Sequence, residues 1–174
     1  MSRKYKFRDP TGVYFITFGT VYWIDVFSRP VYMDILVESI NYCIKEKGFV
    51  VYAWVIMTNH VHMIISSEGE KLEDILRDLK KFTAKSIIQE IKDNPQESRK
   101  EWMLWMFEKA GKKYSNNSKY QFWQQHNQPL ALYTNDDLER KLNYIHENPG
   151  VARSVDHEDD YPYSSAVDYS GQKA

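Results

Sequence analysis

His60 and His62 flank Val61 in "HVHMIIS", a run with the β-branched, apolar character of a strand. Strand side chains alternate between faces. The two imidazoles therefore project from one face, while Val61, Met63 and Ile65 project from the other. With the apolar set turned toward helices, the imidazoles stand side by side on the open face. Imidazole is a common metal ligand, so the pair suits one divalent cation, and two ligands leave its coordination incomplete. A plain pair of surface histidines is the competing explanation. A second candidate lies far downstream, in 135–148, where Leu138, Leu142 and Ile145 form a helical stripe. Tyr144 lies off that stripe, and Asn148 follows one turn later on the same side. A phenol with a pKa of about 10 is a poor nucleophile alone. A cation polarising a phosphate would make the target more electrophilic, and the Asn148 oxygen could complete the ligand set. Taken singly, Tyr144 is one of thirteen tyrosines, and a half-packed ring with a wet hydroxyl accounts for it more economically.

Positioning these groups takes a sheet and helices. "GVYFITFGTVYW" (12–23) follows a breaker and predicts a strand. Residues 30–47 switch to helical spacing through Met33, Leu36, Ile40, Cys43 and Ile44, with Pro30 at the start and Gly48 at the end. "FVVYAWVIM" (49–57) and 60–66 predict a hairpin across Thr58-Asn59. Residues 71–92 predict a helix with Leu72, Ile75, Leu76, Leu79, Phe82, Ser86, Ile87 and Ile91 inward and Lys80, Lys81 and Lys85 off the stripe. A short helix and a polar, basic loop fit 93–120, and 122–134 reads as extended. Thr134 and Asp137 form a loose capping box for the tyrosine helix, which Asn148-Pro149 should close. This order predicts a single α+β domain spanning 1–174. Its expected architecture is a ferredoxin-like split βαβ with an antiparallel sheet, helices on one face and the site on the open face. The acidic tail from about 156 is expected to be mobile at its tip.

Composition sets outer bounds. The chain has 174 residues, 43% hydrophobic and 15% aromatic, enough for one core with flat rings to spare. Its apolar runs fall short of the roughly 20 residues of a spanning helix. "MSRKYKFRDPTG" has no apolar signal core. A cytoplasmic protein with no membrane partner is the expectation. Cys43 is the only cysteine, which excludes disulfides and Cys-based zinc sites within one chain. Net charge is −1, but residues 135–174 hold nine acidic and four basic side chains, leaving 15 acidic and 19 basic in 1–134. Basic clusters stand at Arg3, Lys4, Lys6 and Arg8, at Lys80, Lys81 and Lys85, and at Lys109, Lys112 and Lys113. Phosphate binding depends on such local fields more than on the total.

"TNHVHMII" followed by "YIHENP" resembles the single-tyrosine transposases of the HUH superfamily, in particular the bacterial REP-associated tyrosine transposases. "AWVIMTNHVH", "FWQQHNQP" and "DYPYSSA" extend the similarity from about residue 10 to about residue 170. Thr58, where the family typically has Pro, and "NPGVARSV" depart from the family pattern. The resemblance implies that His60, His62 and Asn148 bind Mg²⁺ or Mn²⁺. It also implies that Tyr144 cuts and rejoins single-stranded, hairpin-forming DNA through a 5′-phosphotyrosine. The tyrosine would act on its own chain's site or across a two-fold homodimer, and the sequence leaves both open.

Lys80, Lys81, Lys85, Lys112, Lys113 and His126 are candidate DNA contacts. Trp102, Trp105 and Trp123 are better read as core than as base-stacking rings, and His146 as structural or surface. Two rivals stand beside the transposase. One is a hairpin-binding protein that has lost catalysis, motivated by "NPGVARSV"; the other is a zinc metallohydrolase, which lacks an obvious acidic third ligand.

Overall fold

A computed structural model describes residues 7–113 and 119–171. Strand β1 (Val13–Gly19) leads through two 3₁₀ turns into α1 (Pro30–Lys47), followed by β2 (Phe49–Ile56) and β3 (His60–Ser67). Helices α2 (Leu72–Asp93) and α3 (Lys100–Gly111) come next, then β4 (Leu130–Leu132), α4 (Asn135–Val151) and the short α5 (Ala166–Tyr169). All strand pairs are antiparallel, in the order β2-β3-β1-β4, the α+β arrangement expected. Among the described residues no helix is long and apolar enough to cross a membrane. The basic residues Arg3, Lys4 and Lys6 lie outside the described residues.

Alternation divides the sheet into two faces. Ile16 and Phe18 of β1 with Val61, Met63 and Ile65 of β3 join the main core. Leu36 and Ile40 of α1 and Leu72, Ile75, Leu76 and Leu79 of α2 complete it. The opposite face carries Phe15, Ala53, Val55, Met57 and Ile64, and α4 lays Ile145 on them. That second face also holds the histidines, so the site lies under α4, with His62 only 5% exposed, and not on an open face as the sequence suggested. Gly48 ends α1 at φ 68°, where a Cβ would stand 2.7 Å from the Gly69 nitrogen, so glycine is required. The outer edge of β2 is occupied by the C-terminal segment. Val55 bridges Ser164, and the Ile56 N–H donates to the Tyr163 carbonyl at 2.9 Å. These contacts pair an edge that would otherwise be open.

Local expectations are corrected or narrowed at five points. The first strand stops at Gly19 rather than running to residue 23, because Thr20 pairs with Trp123 and the chain turns there. Only Leu130–Leu132 of the extended 122–134 segment is strand. Helix α4 continues through Pro149 to Val151. Proline removes a single hydrogen bond this close to the end, and the residue is buried. Trp102 and Trp105 are exposed on α3, and Phe82 is exposed on α2. The inward position beside Phe82 belongs to Thr83, whose hydroxyl accepts the Trp123 indole N–H at 3.0 Å. Trp123 itself is core, as expected.

Candidate active site

Strand register assembles the site. Thr17 lies opposite His62, and Gly19 opposite His60. The two imidazoles meet edge to face with centroids 4.7 Å apart, and Phe15 stacks on His62 at 5.5 Å. Each ring is oriented through Nδ1. The Asn59 Oδ1 atom stands 2.6 Å from His60 Nδ1 and can only accept, so Nδ1 carries the proton. Asn59 is itself fixed by Nδ2, which donates to the Trp23 carbonyl and the Asp25 carboxylate. Thr17 Oγ1 stands 2.7 Å from His62 Nδ1. With that N–H donated to Thr17, His62 matches His60, and both Nε2 lone pairs are presented on the same face. Hydrogen bonds of this kind fix the tautomer of metal-binding histidines.

Burial favours the neutral form of both rings. The pKa of His62 is pushed down to about 3 by burial, with smaller contributions from the charges of His60 and Lys141. His60 is lowered by burial. Neutral imidazole is the form that binds a cation, so the donor set fits a divalent metal.

Helix α4 brings Tyr144 to this pair. Thr134 caps the helix, its Oγ1 accepting the Asp137 N–H at 3.1 Å. Ile145 is fully buried, while its neighbour Tyr144 is 44% exposed. The Tyr144 hydroxyl lies 3.4 Å from His62 Nε2 of the same chain, and its ring meets His62 edge to face at 5.1 Å. Nε2 has one lone pair, so the phenol and a cation would compete for it. Lys141 holds its ammonium 4.4 Å from the Phe15 ring centre and 5.3 Å from that of Tyr144. Asn148 is half-buried one turn beyond Tyr144. Among the described residues no cluster of three His, Cys, Asp or Glu is poised for a metal.

The other candidates are dispersed. Lys80 turns inward, donating to the Gln124 carbonyl at 2.7 Å and to Asn127 Oδ1 at 2.8 Å. Burial lowers its pKa to about 8. Lys81 and Lys85 are exposed on α2, on the far side of the sheet from the histidines. Lys112 pairs with Glu108 at 3.1 Å. Lys113 and His126 line one hollow with Tyr22. His146 packs against Ser165 and Tyr169, clear of the site. Thr17, Asn59, Trp23 and Lys141 join the site without having been candidates from the sequence. Thr17 carried a signal as a hydroxyl in the apolar run "VYFITFG", and Asn59 as the residue before the histidines in "TNHVHMII".

The sequence profile of the family described as "Transposase IS200 like" matches residues 12–110, which include the histidine strand and end before α4. No curated protein matches the chain. A solved REP-associated tyrosine transposase bound to a REP hairpin is similar with a TM-score of 0.66 at 18% identity. The likeness covers 95% of this chain and 82% of that one. A candidate transposase from Deinococcus radiodurans R1 is similar with a TM-score of 0.47 at 16% identity, over 85% and 95% of the two chains. At 18% identity the first likeness bears on the fold alone.

Proposed function

This chain belongs to the IS200-like transposase family, and from that premise we propose that it cleaves and rejoins single-stranded, hairpin-forming DNA through a covalent Tyr144 intermediate. The observation that carries this reading is the Tyr144 hydroxyl 3.4 Å from His62 Nε2, within one chain. The REP hairpin bound to the structurally similar transposase supports a hairpin substrate.

His60, His62 and Asn148 would hold the cation, magnesium or manganese; no fourth protein ligand is assigned. When bound, the cation supplies Lewis-acid polarisation of the scissile phosphate. The Tyr144 oxygen forms a bond to phosphorus as the bond from phosphorus to O3′ breaks. The phenol proton passes to solvent, and the departing O3′ takes one up. The products are a 5′-phosphotyrosine and a free 3′-hydroxyl. The adduct conserves an activated phosphoester, so a second 3′-hydroxyl can displace Tyr144 and rejoin the strand. Thr17 and Asn59 engage the two Nδ1 atoms and leave Nε2 of each ring turned toward the cation, with the Tyr144 hydroxyl giving up the His62 Nε2 lone pair when the cation binds. Lys141, Lys112 and Lys113 are the cations proposed to meet phosphates, with the exposed Lys112 pair to Glu108 weak enough to exchange; Lys81 and Lys85, on the far face, would meet only DNA that extends past the sheet. Lys80 is a weaker candidate because its ammonium is already hydrogen-bonded within the protein. His126 is retained as a candidate contact beside Lys113.

The reading is tested with end-labelled hairpin DNA bearing single-stranded flanks, incubated with the full chain and Mn²⁺. The wild type should give a protein-linked strand that survives denaturation, and Tyr144→Phe should give none. Hairpin binding without an adduct in any metal would instead indicate a binding protein that has lost catalysis. Turnover that survives Tyr144→Phe would indicate a metallohydrolase.

A further inference from the structure

Beside His60 the chain leaves β1 through a turn held in an unfavourable backbone conformation. Tyr22 and Trp23 are both left-handed, at φ 55° and 54°. Residues with a Cβ adopt this conformation only when their surroundings enforce it, and such strain clusters at functional sites. Here Thr20 Oγ1 donates to the Ile24 carbonyl at 2.8 Å. Asn59 grips the loop from the other side, donating through Nδ2 to the Trp23 carbonyl at 3.2 Å and accepting the Thr20 N–H at 2.9 Å.

The consequence is two large rings turned outward between the buried Val21 and Ile24. Trp23 is 52% exposed and Tyr22 39%. Gly19 makes room for the indole, since a Cβ there would meet its ring at 2.9 Å. Trp23 meets His60 edge to face at 5.9 Å. Tyr22 has the Lys113 ammonium 5.0 Å from its ring centre and borders a hollow shared with Lys113, Gln124, Gln125 and His126. Aromatic faces interleaved with cations are how proteins hold unpaired nucleotides, by stacking and charge together.

We propose that Trp23 is a stacking platform for an unpaired base next to the phosphate that Tyr144 attacks, with Tyr22 and Lys113 carrying the strand away from His60. The placement of that phosphate rests on the DNA-cleavage reading; the stacking itself does not. Asn59 gives the platform a second role. The same amide fixes the His60 tautomer and the Trp23 loop, so a base seated on Trp23 lies in fixed register with the histidines.

The test uses the full chain carrying Tyr144→Phe, which removes chemistry and leaves binding. Fluorescence anisotropy compares a labelled oligothymidylate with an abasic deoxyribose-phosphate strand of equal length. Losing one stacking ring corresponds to a loss of roughly 5- to 150-fold. Adding Trp23→Ala should therefore weaken oligothymidylate binding about tenfold and leave the abasic strand unaffected, and Trp23→Phe should restore most of the loss. Thermal melts of both variants should match the parent, because the indole is half exposed. An equal loss on both strands, or no loss on either, would overturn the platform. If the base-dependent loss is seen but the wild-type chain forms no adduct with hairpin DNA, the platform stands and the cleavage reading fails. If adducts form without base dependence, the opposite holds.

Discussion

Thr17 decides which nitrogen of His62 faces the site, from a position 45 residues away in the chain. Replacing it with Val keeps the shape and removes the partner of Nδ1. Losing such an orienting bond typically lowers metal affinity by about 10- to 100-fold. Calorimetric titration of Thr17→Val with Mn²⁺ should show a loss of that order with little change in melting temperature; unchanged affinity would separate Thr17 from the site. The shared orientation of His60 and His62 was legible from strand alternation alone. Thr17 was not, because its role depends on the register between β1 and β3, which no local pattern encodes. Lys80 is the reverse case. It looked like part of a basic face with Lys81 and Lys85, but its ammonium reaches Gln124 and Asn127, in a segment whose path the sequence did not disclose.

Helix α4 is anchored to the sheet by few groups, Ile145 and Pro149 being its buried residues. Ile145→Ala should cost about 2–5 kcal/mol in urea unfolding and lower adduct yield further, because the adjacent Tyr144 loses its placement. Full adduct yield in the folded variant would show that Tyr144 is positioned by something else. A second clasp joins α1 and α3. The buried Glu97 carboxylate accepts from Arg29 at 2.9 Å, from Arg99 at 3.1 Å and from the Tyr32 hydroxyl at 3.0 Å. Burial acts to raise the Glu97 pKa, but the hydrogen bonds from Arg99 and Tyr32 outweigh it and hold the carboxyl below its ordinary value. Its stabilisation is therefore complete above the ordinary carboxylate range and is lost as pH falls through the lowered folded value. Glu97→Gln should cost about 2 kcal/mol near neutral pH. That is less than the roughly 3–5 kcal/mol of a fully buried pair, since both guanidiniums are about one-third exposed. The gap to wild type should close in acid, and a pH-independent gap would argue against a charged Glu97. The bounds of α1, α2 and the β2–β3 hairpin were readable from period and punctuation. The end of β1 was not, because its turn is set by Asn59 and Trp123, both remote in sequence.

At the scale of the molecule, the α+β order was legible because each strand and helix kept its own period. The packing of residues 161–169 along β2 was not, since "DYPYSSA" has no periodic signal and acts through Tyr163, Ser164 and Ser165 meeting one edge. The chain places Tyr144 against its own His62, so cleavage is proposed to occur in cis. Mixing Tyr144→Phe with a His60→Ala, His62→Ala double variant should then yield no adduct; recovery on mixing would show that the tyrosine crosses a dimer. Peptide mapping by mass spectrometry after reaction with hairpin DNA and Mn²⁺ reads the covalent bond to Tyr144 itself. A nucleotide should be found attached through its 5′-phosphate to the peptide containing Tyr144. Attachment to another residue, or strand cleavage with no attached nucleotide, would contradict the Tyr144 mechanism.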